Sequence, residues 1–320
     1  MPAVTLLFVV AWGGAPAFLT VAALVDVVRW LIGRRPWMAV RLHLFGMSYT
    51  LAEVLGVAVL GLMWAISMGG RLFDLGPSTF VIQRSWAGFV LRACRSIFGL
   101  RITANGLDAV HPAPFILLAR HASIVDNLLP SWFISRPHRI HIRYVMKHEL
   151  LVDPALDIAG NRLGNVFVRR ESGESESEIA AVRALATTLP PSEAVLIYPE
   201  GARFSVAKRD RTIGVLERRS PRLAERAAGL VNVLPPRPGG TLALLDACTA
   251  DVVVMTHRGL DGFARIADIW RGAMVRREVE VLFFRIPRSE IPADRAGRIE
   301  WLYDVWHRVD RWIAEPARTR

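Results

Sequence analysis

Phe115-Ile-Leu-Leu-Ala-Arg-His-Ala-Ser-Ile-Val-Asp126 reads as a short apolar strand running into a polar turn. The candidate strand Phe115–Ala119 stops just before His121 and Asp126, so both stand at a strand's carboxyl end, where open α/β sheets place their ligands. The same pattern recurs along the chain after about residue 85, where short apolar runs alternate with helical stretches. Further strands are expected at Ile142–Met146, Val166–Arg169, Ala194–Tyr198, Asp251–Thr256 and Val279–Arg285. Helices are expected over Ile124–Ile134, Glu176–Thr188, Thr241–Thr249 and Ala296–Ile313. The fold class is therefore α/β, with a central sheet flanked by helices.

On a regular helix, residues five apart splay, but a turn entering a helix brings His121 and Asp126 together. The carboxylate then accepts a hydrogen bond from one imidazole nitrogen and leaves the other basic. A base of this kind contributes about 10²–10⁴-fold in rate. Taken alone, a His and an Asp at this spacing also describe an ordinary surface loop. A second strand, Ala194–Tyr198, ends in Tyr198-Pro-Glu-Gly-Ala-Arg-Phe-Ser205. There Gly201 permits close backbone approach or a positive φ, and Arg203 offers a planar fork suited to phosphate. By itself this too describes a glycine turn with a Glu–Arg surface pair.

The two segments resemble motifs one and three of the glycerolipid acyltransferases, the PlsC-like 1-acylglycerol-3-phosphate acyltransferases. Those motifs run Asn-His-x-Ser-x-x-Asp and Phe-Pro-Glu-Gly-Thr-Arg-Ser. Motif two, Gly-x-x-Phe-Ile-x-Arg, resembles Gly164-Asn-Val-Phe167-Val-Arg-Arg170, and Lys147 resembles a lysine often found upstream of it. Motif four resembles Val233-Leu-Pro-Pro236-Arg237, continuing to Gly240. Leu-Pro-Pro-Arg-Pro-Gly-Gly, together with Phe204, is most similar to the eukaryotic-type branch that includes lysocardiolipin acyltransferases. The resemblance covers roughly residues 85–313 and implies a mostly parallel central sheet.

The resemblance also assigns roles. His121 is the general base and Asp126 its orienting partner, while Ser123 is read as a helix cap. Arg170, Arg203 and Lys147 are expected to bind substrate phosphate. Glu200, Gly201, Gly164, Phe167 and Pro236 are expected to position substrate. Oxyanion donors are expected among backbone N–H groups near Gly201 or motif four. The implied reaction moves an acyl group from acyl-CoA or an acyl carrier protein to the free hydroxyl of a lysophospholipid, with 1-acylglycerol-3-phosphate the leading acceptor. No cofactor or metal is expected. Three departures stand out: Arg120 for Asn, Tyr198 for Phe and Ala202 for Thr. Arg120 places a positive charge beside the base in sequence, which puts acceptor preference in question.

The N-terminal region has a different character. No residue from Pro2 to Val25 is charged, and a second apolar stretch runs from about Leu44 to Gly69, broken by Glu53. Roughly 20 apolar residues suffice to cross a bilayer. An apolar helical hairpin over residues 1–70, embedded in a membrane or lying at its surface, is therefore expected before a catalytic domain at 71–320. Arginines flank the second segment on both sides, which favours a hairpin held in one leaflet over two full crossings.

The 320 residues carry a net charge of +11, and the only lysines are Lys147 and Lys208. That balance suits partners bearing phosphate, including an anionic membrane surface. Cys94 and Cys248 stand alone, which argues against a disulfide framework or a zinc site. A bacterial inner membrane, with the catalytic domain facing the cytoplasm, is the expected location. The sequence admits other readings: an acyltransferase acting on another lysophospholipid or a hydroxylated membrane lipid, a non-catalytic binder of anionic lipid or nucleic acid, or a metal-dependent hydrolase. Nucleic-acid binding lacks the interleaving of basic and aromatic residues it needs, and hydrolysis lacks clustered metal ligands.

Overall fold

A computed structural model describes residues 2–168, 176–261, 263 and 266–315. Its centre is a seven-stranded sheet of β1 (Arg101–Asn105), β2 (Phe115–Ala119), β3 (His141–Lys147), β4 (Val166–Val168), β5 (Glu193–Ile197), β6 (Asp251–Arg258) and β7 (Glu278–Ile286), in the order β1-β7-β6-β2-β5-β3-β4. All neighbours are parallel except β6 and β7. The sheet is thus mostly parallel, as the resemblance implied.

Strand β2 is buried along its whole length because helices cover both sheet faces. Side chains alternate across a strand, and the cores follow that period. Phe115, Leu117 and Ala119 pack with Leu91, Cys94 and Phe98 on one face, while Ile116 and Leu118 pack with Val182, Leu244 and Trp306 on the other. Each fully buried aliphatic side chain contributes about 1.5–3 kcal/mol, so burial on two sides fixes β2 at the centre. The carboxyl ends of β2, β5 and β6 consequently meet at one edge.

Helices α1 (Pro2–Gly13), α2 (Ala15–Gly33) and α3 (Ala39–Ile66) form the apolar N-terminal region, and α4 (Gly76–Phe98) leads into the sheet. Two of them, α2 with 19 residues and α3 with 28, are long and apolar enough to cross a membrane. Leu24, Val28, Leu31, Leu55 and Leu62 face outward from them. Asp26, on α2 just past the uncharged run, is wholly buried and accepts the N–H groups of Met38, Ala39 and Val40 at 2.9, 3.0 and 2.9 Å. It satisfies donors that a helix start leaves without partners and so pins α3 against α2. On α3, the Tyr49 hydroxyl donates to Asp153 Oδ2 at 2.6 Å, tying the apolar region to the N-cap residue of helix Pro154–Arg162. The chain turns between the end of α3 at Ile66 and the start of α4 at Gly76.

The expected helix over Ile124–Ile134 is instead broken into a 3-10 turn, Val125–Leu128, and a widened turn, Ser131–Ser135. Pro130 lies between them and lacks the N–H a continuous ladder needs. Strand β1 and helices Pro154–Arg162, Val206–Arg219 and Pro221–Ala228 add to the expected elements. Strand β4 ends at Val168, and Arg169 lies outside the described residues.

Candidate active site

The turn after β2 is folded around the Asp126 carboxylate. Its Oδ2 accepts the N–H groups of Ala122 and Ser123 at 2.6 and 2.7 Å and lies 3.2 Å from His121 Nδ1. Ser123 Oγ accepts the Val125 N–H at 3.1 Å, which makes Ser123 a turn-capping residue. Asp126 is wholly buried, whereas the His121 side chain keeps 14% of its surface exposed. The imidazole therefore opens to the exterior while its partner does not. The ring stacks on Tyr198 at a centroid distance of 4.4 Å, and the Tyr198 hydroxyl donates to Asn127 Oδ1 at 3.0 Å.

His257, at the carboxyl end of β6, adds a second imidazole to the same carboxylate. It is fully buried, and its Nε2 lies 3.1 Å from Asp126 Oδ1 as a charge contact rather than an aligned hydrogen bond. Burial alone pushes the Asp126 carboxyl up. The charge of His257 and the hydrogen bond from His121 outweigh that effect, and the group lies well below the usual carboxylate range. Asp126 thus remains an anion facing two imidazoles.

Motif three clamps the backbone of the base. Glu200 Oε1 accepts the His121 N–H at 2.8 Å, and Glu200 Oε2 accepts the Leu234 N–H at 3.0 Å. Phe204 N–H donates to the His121 carbonyl at 2.8 Å. One buried carboxylate therefore joins the segments holding motifs one and four, and its contacts are to backbone rather than to an acceptor or to Arg203. Burial pushes Glu200 up to about 8, and the nearby Asp126 adds to the rise. The Arg120 charge and the two backbone donors work in the opposite direction.

Gly201 has φ +68, and a Cβ there would lie 3.1 Å from Arg237 Cδ. The position needs glycine for its left-handed backbone and for the close approach of Arg237. Gly201, Tyr198 and Arg237 border a cleft whose apolar wall includes Val145, Val168 and Val182. Arg203 Nη1 is buried and has no hydrogen-bond partner among the described residues. Of the oxyanion donors expected nearby, Gly201 N–H donates to the Tyr198 carbonyl, Arg237 N–H to the Pro199 carbonyl, and Leu234 N–H to Glu200. Those three groups are already engaged.

The remaining expected residues lie further out. Lys147 is exposed at the end of β3, and Gly164 is exposed with φ +66 and open space around it. Phe167 packs against Gly160, where an added Cβ would meet its ring at 2.6 Å. Pro236 is buried next to Arg237, and Arg170 lies outside the described residues. No group of three or more His, Cys, Asp or Glu side chains suited to a metal ion occurs among the described residues.

Arg120 differs from the sequence expectation. It is fully buried, forms an ion pair with Asp261, and donates to the carbonyls of His257 and Asn232 at 2.7 and 2.8 Å. Its charge is neutralised inside a structural network and does not face an acceptor. Sequence reading does not find His257, nor the roles of Tyr198 and Arg237. The available signal for His257 is its place at a strand's carboxyl end, the feature that singles out His121.

Residues 101–243, which contain all of these motifs, match the family model described as Acyltransferase. Together with the fold, this defines an acyltransferase, built on an oriented histidine at the carboxyl edge of an α/β sheet. Over that domain the chain is similar to the PlsC-like acyltransferases. It is 23% identical over 296 residues to 1-acyl-sn-glycerol-3-phosphate acyltransferase epsilon of Mus musculus, covering 86% of this chain and 79% of that protein. It is 28% identical over 133 residues to 1-acyl-sn-glycerol-3-phosphate acyltransferase of Pseudomonas aeruginosa, covering 40% and 48% respectively. The solved PlsC of Thermotoga maritima, titled a 1-acyl-sn-glycerophosphate acyltransferase, aligns with 84% of this chain and 99% of its own at 11% identity, with a TM-score of 0.47.

Proposed function

We propose that the protein transfers a fatty acyl group from an acyl thioester to the free hydroxyl of a lysophospholipid, with 1-acylglycerol-3-phosphate as the acceptor and phosphatidic acid as the product. The observation that carries this reading is the His121–Asp126 pair, whose partly open imidazole is backed by a buried anion. With Nδ1–H directed at Asp126, Nε2 carries the lone pair. It takes the acceptor's hydroxyl proton as the oxygen bonds to the thioester carbonyl carbon. The tetrahedral intermediate then expels the thiolate, which recovers the proton from the imidazolium. Asp126 stabilises that cation throughout, and no acyl-enzyme bond is needed.

Arg203, with its uncommitted Nη1, binds the acceptor phosphate, assisted by Lys147 and Arg170. Gly201 lets Arg237 approach the same cleft, and the apolar wall of Val145, Val168 and Val182 receives an acyl chain. Glu200 holds the base's backbone in place. Acyl-CoA or an acyl carrier protein supplies the thioester; both are anionic and complement the net charge of +11. The exposed apolar faces of α2 and α3 hold the enzyme at the membrane that contains its acceptor, with the catalytic domain on the cytoplasmic side.

The test is thiol release from acyl-CoA by purified protein in lipid or detergent. Release should require 1-acylglycerol-3-phosphate and disappear in His121→Ala. Release independent of the lysolipid, or unaffected by that substitution, would overturn the proposal. Other lysophospholipids in the same assay rank the acceptors.

A further inference from the structure

A second concave site lies away from the catalytic turn. The α2–α3 turn, the end of α4 and the segment before β7 enclose a cleft of about 840 Å³. Arg34, Arg35, Arg41 and Arg276 line it with Trp30 and Trp37, and no Asp or Glu is among its lining residues. Arg41 is held by the carbonyls of Ile97 and Trp37, and Arg34 stacks on the Trp30 ring at 4.1 Å. A wall carrying four guanidinium groups and no carboxylate is a site for an anion.

The backbone supplies an independent observation. Only four non-glycine residues have a positive φ among the described residues, and two of them, Arg34 at 51° and Arg276 at 54°, line this cleft. At Arg34 this is the turn that ends α2, its N–H donating to the Trp30 carbonyl at 2.8 Å, and it carries the side chain to the cleft. Arg276 is fixed in that conformation by its N–H bond to the Phe98 carbonyl at 2.8 Å.

The surroundings identify the kind of anion. Leu31 and Ile32, on the last turns of α2 beside the cleft, are exposed, and Trp30 and Trp37 are 42% and 41% exposed. Tryptophan next to an apolar helix end marks the level of lipid headgroups. A phosphate in the cleft therefore has acyl-chain space along α2. Register places the cleft relative to catalysis. Because β7 runs antiparallel to β6, with Glu280 opposite Arg258, β7 starts at the edge where β6 and β2 end. Cleft and catalytic turn thus occupy the same edge of the sheet.

We infer that this cleft binds the phosphate headgroup of an intact anionic phospholipid, at a site separate from the acceptor pocket, and so seats the catalytic edge against the bilayer. The inference does not depend on the reaction proposed above, and its test reads binding rather than turnover.

Full-length protein in neutral detergent is mixed with dioctanoyl phosphatidylglycerol, dioctanoyl phosphatidylcholine or inorganic phosphate, and retained ligand is counted by native mass spectrometry. Phosphatidylglycerol should be retained and phosphatidylcholine should not. The double variant Arg34→Gly with Arg276→Gly should weaken retention by about 30-fold, the effect of removing two arginines from a lipid surface. Glycine tolerates both left-handed positions, so the melting temperature should not fall. Arg203→Gln, altered in the catalytic cleft, should retain phosphatidylglycerol as the parent does. Equal retention by the parent and the double variant would overturn the inference. Displacement by inorganic phosphate at concentrations matching the lipid would make this a free-phosphate site and overturn the lipid assignment.

Discussion

Replacing Asp126 with Asn isolates the carboxylate's charge from its shape. The Asn carbonyl, placed where Oδ2 lies, still accepts the N–H groups of Ala122, Ser123 and His121. Its amide nitrogen then faces the buried His257 ring. The ring of His121 therefore keeps its place, while the negative charge opposite the developing imidazolium is lost. At the 3.2 Å separation of Nδ1 and Oδ2, two unit charges in an effective dielectric of about 20 interact by about 5 kcal/mol. That is a ceiling corresponding to about 10³–10⁴-fold in rate, within the range ascribed to a positioned base. In the thiol-release assay kcat should fall by about 10³-fold with little change in KM for the lysolipid, because the lost interaction belongs to the transition state. If Asp126→Asn kept more than about a tenth of the parent kcat, a loss smaller than the roughly 10²-fold minimum for a base, the charge would not be acting in catalysis. A KM rising as far as kcat falls would instead indicate a disordered acceptor site.

Three further outcomes follow from the buried groups. Glu200→Ala leaves the His121 and Leu234 N–H groups without acceptors, at about 1–3 kcal/mol each, and should lower the urea midpoint as well as activity. Glu200 titrates at about 8 in the fold, against 4.5 for a freely solvated glutamate, so its contribution to stability is greatest below the unfolded value and is lost as pH rises through about 8. Denaturation of parent and Glu200→Gln from about pH 5 to about pH 9 should show a flatter alkaline decline in the variant. The Asp126 contribution has the opposite sign and is lost on acidification. Arg120→Met leaves the carbonyls of His257 and Asn232 without their buried donor, and should cost about 1–3 kcal/mol each in unfolding experiments while leaving the ranking of acceptors unchanged.

Strand β2 is readable in the sequence because burial on both faces demands an uninterrupted apolar run, which Phe115–Ala119 supplies. Strand β1, Arg101–Asn105, carries no such run, since it lies at the sheet edge with alternate residues exposed. The apolar hairpin is equally plain, because a bilayer imposes length and composition directly. What Asp26 does inside it is not, since the carboxylate acts on N–H groups at Met38, Ala39 and Val40, and their proximity depends on how two helices pack.

By itself the sequence determined the local parts of this protein: an α/β domain behind an apolar hairpin, and a His–Asp pair at a strand end. Those features arise from interactions within a few residues, whose signals are hydropathy, turn chemistry and spacing. Tertiary structure decided what surrounds the pair. His257 reaches Asp126 only because β6 lies beside β2, and Glu200 reaches both His121 and Leu234 because their segments converge at one edge. Arg120, one residue from the base, belongs to a different environment, fully buried and bonded to the carbonyls of His257 and Asn232. Adjacency in sequence placed its charge beside the imidazole, and the convergence of the Asn232, His257 and Asp261 segments on its guanidinium drew it into the ion pair with Asp261.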